Sequence, residues 1–264
     1  MAEKYFRTTE VPVAKFSPES GVSLITVKSP SLKQRGDICI YETKQVKGKT
    51  DVPLVILLHG VYGSHWAWMF KGGAYKTAQR LVDAGKIPPI VIACPSDGLW
   101  GDGSGYIKHG TQYFEAWDVK DVIQALTENT KSVSEKSRKF ISGLSMGGFG
   151  ALRLGAKYPA IFEAFGGHSS ITNFSQMSQF VEEPLASYNC PAEDAAILAT
   201  LIQNKEHIGK FRFDCGSDDP LVSYNRELHQ KLNERQIEHV YEEHSQSHEW
   251  GYWQEHLENM LFFY

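Results

Sequence analysis

The chain has few cysteines, and their number and spacing argue against disulfides and against a cysteine-ligated metal site. Only four are present among 264 residues, Cys39, Cys94, Cys190 and Cys215, and no two stand at the short spacing of a metal-binding motif. A chain of this length can bury a large apolar core without disulfide staples. The sequence therefore predicts reduced thiols, no metal site and no cofactor.

An excess of positive charge and a long apolar run are also missing. The formal net charge is -4, so the chain lacks the basic field that holds a nucleic-acid backbone. No segment approaches about 18 uninterrupted apolar residues, and residues 1–7 carry charge where a signal peptide would be apolar. We expect a cytoplasmic protein that binds a small molecule but neither nucleic acid nor membrane, and a homo-oligomer is left open.

Short apolar runs alternate with stretches of helical period along most of the chain. Runs that end in Gly- or Pro-marked loops predict strands, and apolar residues three and four positions apart predict helices. The predicted strands are residues 22–27, 37–41, 54–58, 90–94, 139–142, 164–166, 211–215 and 239–242. The predicted helices are residues 76–84, 112–128, 146–158, 222–234 and 250–261. This alternation is typical of an α/β fold with a central, mostly parallel sheet flanked by helices.

One stretch interrupts the alternation. Residues 169–210 have mixed polar and helical character without a clear strand, and they exceed the usual length of a strand-to-helix connection. We interpret this stretch as a candidate small cap. Because no internal repeat, charge block or Gly/Ser linker divides the chain, we expect one domain spanning residues 1–264.

The segment around Ser145 predicts a nucleophilic serine. A predicted strand is followed by Gly-Leu-Ser-Met-Gly-Gly at residues 143–148 and then by a predicted helix. A serine hydroxyl is a poor nucleophile, but a tight strand-to-helix turn exposes its oxygen and aims a helix N-terminus at developing negative charge. Such a turn needs glycines where side chains would collide. The alternative is an ordinary glycine turn in which Ser145 only caps the helix.

The acid that would orient the general base is predicted in residues 211–221. This segment is a strand running into an acidic turn, as expected at the carboxyl end of a parallel strand. Asp214 should still lie within the strand. Asp218 and Asp219 lie in the loop, where one could face the histidine and the other cap the next helix. We prefer Asp219 and keep Asp218 as the alternative.

His248 is the predicted general base. It lies in a polar loop, Ser-Gln-Ser-His-Glu-Trp at residues 245–250, just after the last predicted strand. It also follows the serine and the acid in the chain order expected of a Ser-Asp-His triad on a parallel sheet. His244, at the strand end, is the competitor and is expected to be a structural loop histidine.

The strand at residues 54–58 runs into His59, Gly60 and Val61. The backbone amides of Val61 and Met146 are predicted to hold the oxyanion of a tetrahedral intermediate. His59 is expected to organise the loop through hydrogen bonds, because a histidine at a strand end usually does so and this one precedes the serine.

Aromatic residues are concentrated in the loops that should face Ser145. The predicted pocket residues are Tyr62, Trp66, Trp100 and Tyr106. For each ring the alternative is that it only packs its own loop. The acidic, glycine-rich residues 97–103 lack the ligand spacing of an EF-hand and are interpreted as a turn.

Four motifs resemble the esterase D family over most of the chain. They are Leu-His-Gly at 58–60, Gly-Leu-Ser-Met-Gly-Gly-Phe-Gly-Ala-Leu at 143–152, Gly-Ser-Asp-Asp-Pro-Leu at 216–221 and His-Glu-Trp-Gly-Tyr-Trp at 248–253. The resemblance implies the α/β-hydrolase fold and acyl-ester chemistry, and it places the orienting acid on Asp219. The family includes S-formylglutathione hydrolases, feruloyl and acetyl xylan esterases, tributyrin esterases and mycolyltransferases. Ser247 departs from the glycine that usually precedes the family's histidine, and Phe149 from the histidine common in the formylglutathione branch.

These residues together predict a carboxylic-ester hydrolase that works through an acyl-enzyme. The predicted substrates are short-chain acyl or aromatic esters, including feruloyl-type and acetyl-sugar esters. A thioesterase such as an S-formylglutathione hydrolase, or an acyltransferase, is the alternative within the same chemistry. A binding module that keeps the fold without catalysis is the alternative from another class.

Overall fold

The computed structural model describes Tyr5, the backbone of Thr9 and Glu10, and residues 21–264. Residues 1–7, on which the expectation of no signal peptide rests, lie outside the described part except for Tyr5. The strands are β1 Thr9–Glu10, β2 Val22–Lys28, β3 Arg35–Glu42, β4 Leu54–Leu58, β5 Val91–Pro95, β6 Lys108–His109, β7 Gln112–Tyr113, β8 Lys139–Leu144, β9 Ala164–His168, β10 Lys210–Gly216 and β11 Val240–His244.

Nine of these strands form one sheet in the order β1-β2-β3-β5-β4-β8-β9-β10-β11, and β6 and β7 form a small ribbon. Pairing is parallel from β5 through β11, whereas β1, β2 and β3 run antiparallel at one side. Residues of β4, β5 and β9 are buried throughout, because helices cover both faces of the central strands. The predicted α/β fold with a mostly parallel sheet is confirmed.

Seven α-helices accompany the sheet in the described residues. They are α1 Ala74–Asp83, α2 Phe114–Ala116, α3 Val122–Asn129, α4 Met146–Lys157, α5 Ile197–Asn204, α6 Val222–Glu234 and α7 Trp250–Phe263. Within the part of the chain described, no helix combines the length and the apolar character needed to cross a bilayer.

Two apolar cores lie on opposite faces of the sheet. Alternate residues of β4 divide between them, since successive strand side chains point to opposite faces. Leu54 and Ile56 join the core that contains residues of α3, α4 and α6. Val55 and Leu57 join the core that contains residues of α1 and α7.

The prediction of one continuous helix over residues 112–128 is wrong. Its first residues form β7, and a π-helical turn, Trp117–Asp121, separates α2 from α3. The Trp117 ring is fully buried, and its Nε1 donates a 2.7 Å hydrogen bond to the Ser96 carbonyl. The wider turn buries Trp117, Asp118 and Asp121 together, which a regular helix pattern does not reveal.

Residues 169–210 connect β9 to β10 through short 3-10 helices, Phe174–Gln179, Leu185–Tyr188 and Ala192–Asp194, followed by α5. Between β9 and the start of β10 at Lys210, the stretch forms no strand, as predicted. Its β pairing is a single isolated bridge between Asn173 and Ala196. That it acts as a cap stays a prediction.

The carboxyl ends of the parallel strands bring distant segments together at one edge of the sheet. Leu144 of β8 pairs with His168 of β9, and Gly216 of β10 pairs with His244 of β11. The loops that leave β4, β8, β10 and β11 therefore start side by side. This edge is where an α/β sheet usually carries its ligand site.

Candidate active site

Ser145 occupies a sharp turn between β8 and α4. Its φ of 55° and ψ of -117° lie in a region that side chains rarely adopt. A β-carbon at Gly143 would collide with the Gly147 carbonyl, and one at Gly147 would collide with the Leu58 carbonyl. The glycines therefore let the turn pass close to β4 and hold the serine at the start of α4.

Backbone hydrogen bonds fix this turn. The Ser145 amide donates to the His168 carbonyl at 2.9 Å, and the Ser145 carbonyl accepts from the Phe149 amide at 3.1 Å. The residue is only 2% exposed. The hydroxyl is thus presented at a defined place and not on a mobile loop.

His248 lies between Ser145 and Asp219. Its Nε2 is 3.1 Å from the Ser145 Oγ, and its Nδ1 is 2.8 Å from the Asp219 Oδ2. Because a carboxylate can only accept, Nδ1 carries the proton and leaves Nε2 free to accept from the serine hydroxyl. This tautomer is the one that a general base beside a serine needs.

The three neighbouring aspartates at the end of β10 make different contacts. Asp219 Oδ1 accepts a 2.8 Å hydrogen bond from the Leu221 amide, so this carboxylate holds the start of α6 as well as His248. Asp218 is exposed, while its backbone binds the histidine loop through Gln246 and Ser247. Asp214 lies within β10, as predicted, and its carboxylate bonds to other partners.

The Asp219 carboxylate is buried yet ionised. Burial by itself would raise its pKa, but the hydrogen bond and the charge of His248 lower it, with help from the Leu221 amide. The net result is a pKa below the usual value. A carboxylate that stays charged here can stabilise an imidazolium when His248 takes a proton.

His244, the competitor for the role of general base, and His59 lie away from the Ser145 hydroxyl and make other contacts. His244 ends β11, and its ring stacks on the His256 ring with centroids 4.0 Å apart. His59 Nδ1 donates to the Gly60 carbonyl at 2.7 Å, and its Nε2 accepts from the Asp97 amide at 3.2 Å. His59 thus joins the two loops that follow β4 and β5.

The backbone amides of Val61 and Met146, near the serine, donate no hydrogen bond to a protein group within residues 21–264. Met146 is the first residue of α4, where the amides of the first turn lack helical partners. Such free donors can stabilise a negatively charged oxygen that forms at the serine.

A cavity of about 430 Å³ opens at Ser145. Its wall is largely aromatic. The lining residues are Gly60, Val61, Tyr62, Gly63, Trp66, Ala67, Lys71, Leu144, Ser145, Phe180, His248, Glu249, Trp250 and Trp253. Tyr62 and Trp66 are where the sequence predicts them.

The prediction that Trp100 and Tyr106 line this pocket is corrected. Tyr106 is fully buried, and its hydroxyl donates a 2.8 Å hydrogen bond to the His59 carbonyl. The Trp100 ring packs on His109, with centroids 4.1 Å apart, and on Tyr188. Both rings pack the loops down, which is the alternative that the sequence left open.

Among the lining residues that the sequence does not predict, four have aromatic or cationic side chains. Trp250 and Trp253 come directly after His248 in the first turn of α7, so their closeness in the chain was an available signal. Phe180 comes from residues 169–210, and its ring stacks on the His248 ring with centroids 5.5 Å apart. Lys71 ends the π-helical turn Ala67–Lys71. No local pattern marks Phe180 or Lys71.

Comparison with known proteins identifies the family. Residues 29–264 match the family model described as "Putative esterase". The chain belongs to this esterase family. An acetyl esterase from Caldicellulosiruptor saccharolyticus is 28% identical over 258 residues, which cover 90% of this chain and 89% of the relative.

Solved structures support the fold of this esterase. A ferulic acid esterase superposes with a TM-score of 0.79 at 22% identity, covering 92% of this chain and 96% of the other. An S-formylglutathione hydrolase from Staphylococcus aureus superposes with a TM-score of 0.74 at 13% identity, covering 97% and 98%. The protein has the α/β-hydrolase fold and is a carboxylic-ester hydrolase, as the motifs predict.

A hydrogen-bonded strap, residues 180–183, holds Phe180 over the site of the esterase. The Tyr62 hydroxyl donates to the Phe180 carbonyl at 2.7 Å, and the Tyr62 amide donates to the Asp102 carbonyl at 2.9 Å. Asp102 Oδ2 accepts from the Glu182 amide at 2.7 Å, and the Asp102 amide donates to Glu183 Oε1 at 3.1 Å. The strap therefore joins the 169–210 stretch to the loops after β4 and β5.

A second aspartate–histidine pair lies behind the site. His168 Nδ1 donates to Asp214 Oδ1 at 2.8 Å, and the Tyr252 hydroxyl donates to the same oxygen at 2.8 Å. Both members of the pair are fully buried. Among the described residues, His168 Nε2 has no hydrogen-bond partner.

Proposed function

We propose that Ser145, His248 and Asp219 form the catalytic triad of this esterase and that it hydrolyses small carboxylic esters with short acyl or aromatic groups. One observation carries the proposal. The hydroxyl of the turn serine, both ring nitrogens of His248 and the Asp219 carboxylate form a continuous chain of hydrogen bonds, 3.1 Å and 2.8 Å long.

The proposed reaction has two halves. The Ser145 Oγ attacks the ester carbonyl carbon while its proton passes to His248 Nε2, and Asp219 stabilises the imidazolium. The tetrahedral intermediate collapses, the bond to the alcohol oxygen breaks, and His248 returns the proton to that oxygen. Water then gives a proton to His248 and attacks the acyl-enzyme, which releases the acid and restores the serine hydroxyl.

The Val61 and Met146 amides are proposed to hold the oxyanion of both intermediates. Their lack of protein acceptors supports this role, as does the position of Met146 directly after the nucleophile. A donor that is already aimed at the developing charge needs no reorganisation during the reaction.

The cavity accommodates the proposed acyl groups. A volume of about 430 Å³ with aromatic walls has room for an acetyl, butyryl or planar aromatic acyl group. The acetyl esterase relative supports the short-chain end of this range.

Hydrolysis of p-nitrophenyl acetate, p-nitrophenyl butyrate and methyl ferulate tests the proposal. We expect Ser145→Ala to remove activity, and a fluorophosphonate probe to label the native protein but not this variant. Asp218→Asn is the matched control for Asp219→Asn. The Asp218 carboxylate is exposed and does not contact His248. Unchanged turnover in Ser145→Ala would refute the triad.

The same panel addresses the thioester and transfer alternatives. S-formylglutathione and a sugar acceptor are added as separate arms, with hydrolysis and acyl transfer measured in each. A kcat/KM for the thioester well above that for every oxygen ester would reassign the substrate class while leaving the triad in place.

A further inference from the structure

Lys71 is a cation in the wall of the Ser145 cavity. The other lining residues are apolar, aromatic or hydroxyl-bearing, except for His248 and Glu249. Among residues 21–264, Lys71 Nζ forms no ion pair and donates no hydrogen bond to a protein group; its contact is with the face of the Trp250 ring, 5.4 Å from the centroid. The esterase therefore places an uncompensated positive charge beside its substrate site.

Lys71 is an exposed residue, but the Trp250 ring that its Nζ contacts is packed against other rings. The Trp250 ring meets the Trp68 and Trp253 rings edge to face, with centroids 5.8 Å and 5.3 Å away. The Lys71 carbonyl accepts a 2.7 Å hydrogen bond from Gln254 Nε2, which fixes the backbone against α7. A lysine whose ammonium already lies over a packed ring loses less conformational freedom on binding a ligand than an exposed lysine without such a contact.

The negative charge of Glu249 does not neutralise the positive charge of Lys71. No ion pair joins the two within the described residues, and Glu249 occupies the N-cap position of the 14-residue helix α7. The helix dipole already stabilises a negative charge there. The charge on Lys71 has no such partner.

We propose that Lys71 forms an anion subsite, and that the preferred substrates are esters carrying a carboxylate on the acyl or the alcohol part. This inference rests on the proposed function, because it concerns which ester the same cavity accepts. A hydrogen bond between two charged groups is stronger beside an apolar wall than in open water. Lys71 would thus raise the affinity for an anionic ester over its neutral analogue.

Two matched substrate pairs test the subsite. Mono-p-nitrophenyl adipate and its methyl ester differ by one charge on the acyl part. 4-Acetoxybenzoate and its methyl ester differ by one charge on the alcohol part. The measured quantity is the ratio of kcat/KM for the anionic member to that for the neutral member, which cancels any general loss of activity.

In at least one pair, we expect Lys71→Met to lower this ratio about tenfold. Lys71→Arg is expected to retain most of it, and Glu249→Gln to raise it, because a repulsive charge is removed. Lys76→Met is the matched control: Lys76 lies over the Tyr75 ring at 5.8 Å but does not line the cavity, so its ratio should equal that of the native protein. High salt should lower the native ratio toward that of Lys71→Met.

The inference is overturned if Lys71→Met and Lys76→Met give the same ratio for both pairs. It is also overturned if Glu249→Gln lowers the ratio while Lys71→Met raises it, since the cavity would then select cations. Both outcomes leave ester hydrolysis by Ser145 intact. If the native protein hydrolyses p-nitrophenyl acetate but none of the four esters, the inference is overturned and the proposed function stands. If it hydrolyses neither p-nitrophenyl acetate nor the four esters, the proposed function itself is removed.

Discussion

Two aspartate–histidine pairs in this esterase have the same Nδ1-to-oxygen distance of 2.8 Å but opposite surroundings. His248 Nε2 faces the Ser145 hydroxyl and the cavity, whereas His168 Nε2 is buried without a hydrogen-bond partner in the described part of the chain. Both pairs thus share the same short hydrogen bond between aspartate and histidine. The chemistry of each pair depends on the group that the second ring nitrogen, Nε2, contacts.

The position of each pair relative to the sheet explains the difference. Asp214 and His168 are register partners on the adjacent strands β10 and β9, so their side chains are enclosed by the layers on the sheet. Asp219 and His248 lie in loops just beyond β10 and β11. A residue past the sheet edge can meet both a buried carboxylate and an open cavity.

The largest expected effect separates the pairs by catalysis. Asp219→Asn should lower kcat by about 10⁴, because the amide no longer selects the tautomer or stabilises the imidazolium. Asp214→Asn should lower kcat per folded molecule by less than about tenfold, since it does not touch the histidine that faces the serine. Steady-state kinetics on p-nitrophenyl acetate measures both, with circular dichroism as the folding control. Equal losses would show that the pairs act as one unit.

The second effect separates the pairs by stability. Asp214→Asn should lower the free energy of unfolding at pH 7 by about 3 kcal/mol, because it disrupts a fully buried carboxylate that accepts hydrogen bonds from His168 and Tyr252. Asp219→Asn should lower it by about 1 kcal/mol. Urea titrations of the two variants measure this, and a larger loss for Asp219→Asn would contradict the assignment of Asp214 to structure.

The pH dependence sharpens the same comparison. Burial alone would raise the pKa of Asp214, but the charge and hydrogen bond of His168 outweigh this, so its pKa lies below the ordinary value. A carboxyl with a lowered folded-state pKa contributes stability above its unfolded-state pKa of about 4, and that contribution is lost as the pH falls through the folded-state value. The stability difference between the native protein and Asp214→Asn should therefore shrink below about pH 4. A difference that stays constant from pH 7 to pH 3 would exclude this linkage.

A smaller effect is expected at Phe180, whose ring packs on His248. Phe180→Ala should lower kcat/KM for methyl ferulate about tenfold, because the ring packs on His248 and lines the cavity. Tyr62→Phe should lower it about threefold by releasing the Phe180 carbonyl. Tyr113→Phe, a half-exposed tyrosine outside the cavity, is the control. Full activity of Phe180→Ala on both ferulate and acetate esters would exclude a role for the strap.

The smallest effect is expected at Ser169, which lies between the two pairs. Its amide donates to the Asp214 carbonyl at 2.7 Å, and its hydroxyl accepts from Trp253 Nε1 at 3.2 Å. A hydrogen bond from this hydroxyl also helps to lower the pKa of Asp219. Ser169→Ala should lower kcat by less than about threefold, because one hydrogen bond that supports the Asp219 carboxylate is lost. Steady-state kinetics on p-nitrophenyl acetate measures this, and an unchanged kcat would mean that Ser169 serves only the fold.

The sequence predicts those parts of the site that local chain geometry determines. The glycines around Ser145 are dictated by the approach of the turn to β4, and the strand at Leu54–Leu58 and the helix at Val222–Glu234 have the predicted bounds. Parallel strands then bring the loops of Asp219 and His248 to the same edge. The mostly parallel fold and the esterase family follow from these local signals.

The remainder depends on contacts that no local pattern encodes. Phe180 reaches His248 from the 169–210 stretch because the Tyr62 and Asp102 hydrogen bonds hold it there. Trp100 and Tyr106 lie in the expected loops but turn away, since a loop residue carries no periodicity that tells which way its ring points. The sequence predicts one helix over residues 112–128 because each side of the π-helical turn keeps its own helical spacing of apolar residues.

The tryptophans of the aromatic wall also provide a fluorescence signal for ligand binding. Three of the chain's six tryptophans, Trp66, Trp250 and Trp253, line the cavity, while Trp68, Trp100 and Trp117 are not among the lining residues. A ligand that displaces water from these rings changes the polarity around half of the indole fluorophores. Intrinsic fluorescence of Ser145→Ala can therefore follow substrate binding directly, separately from turnover.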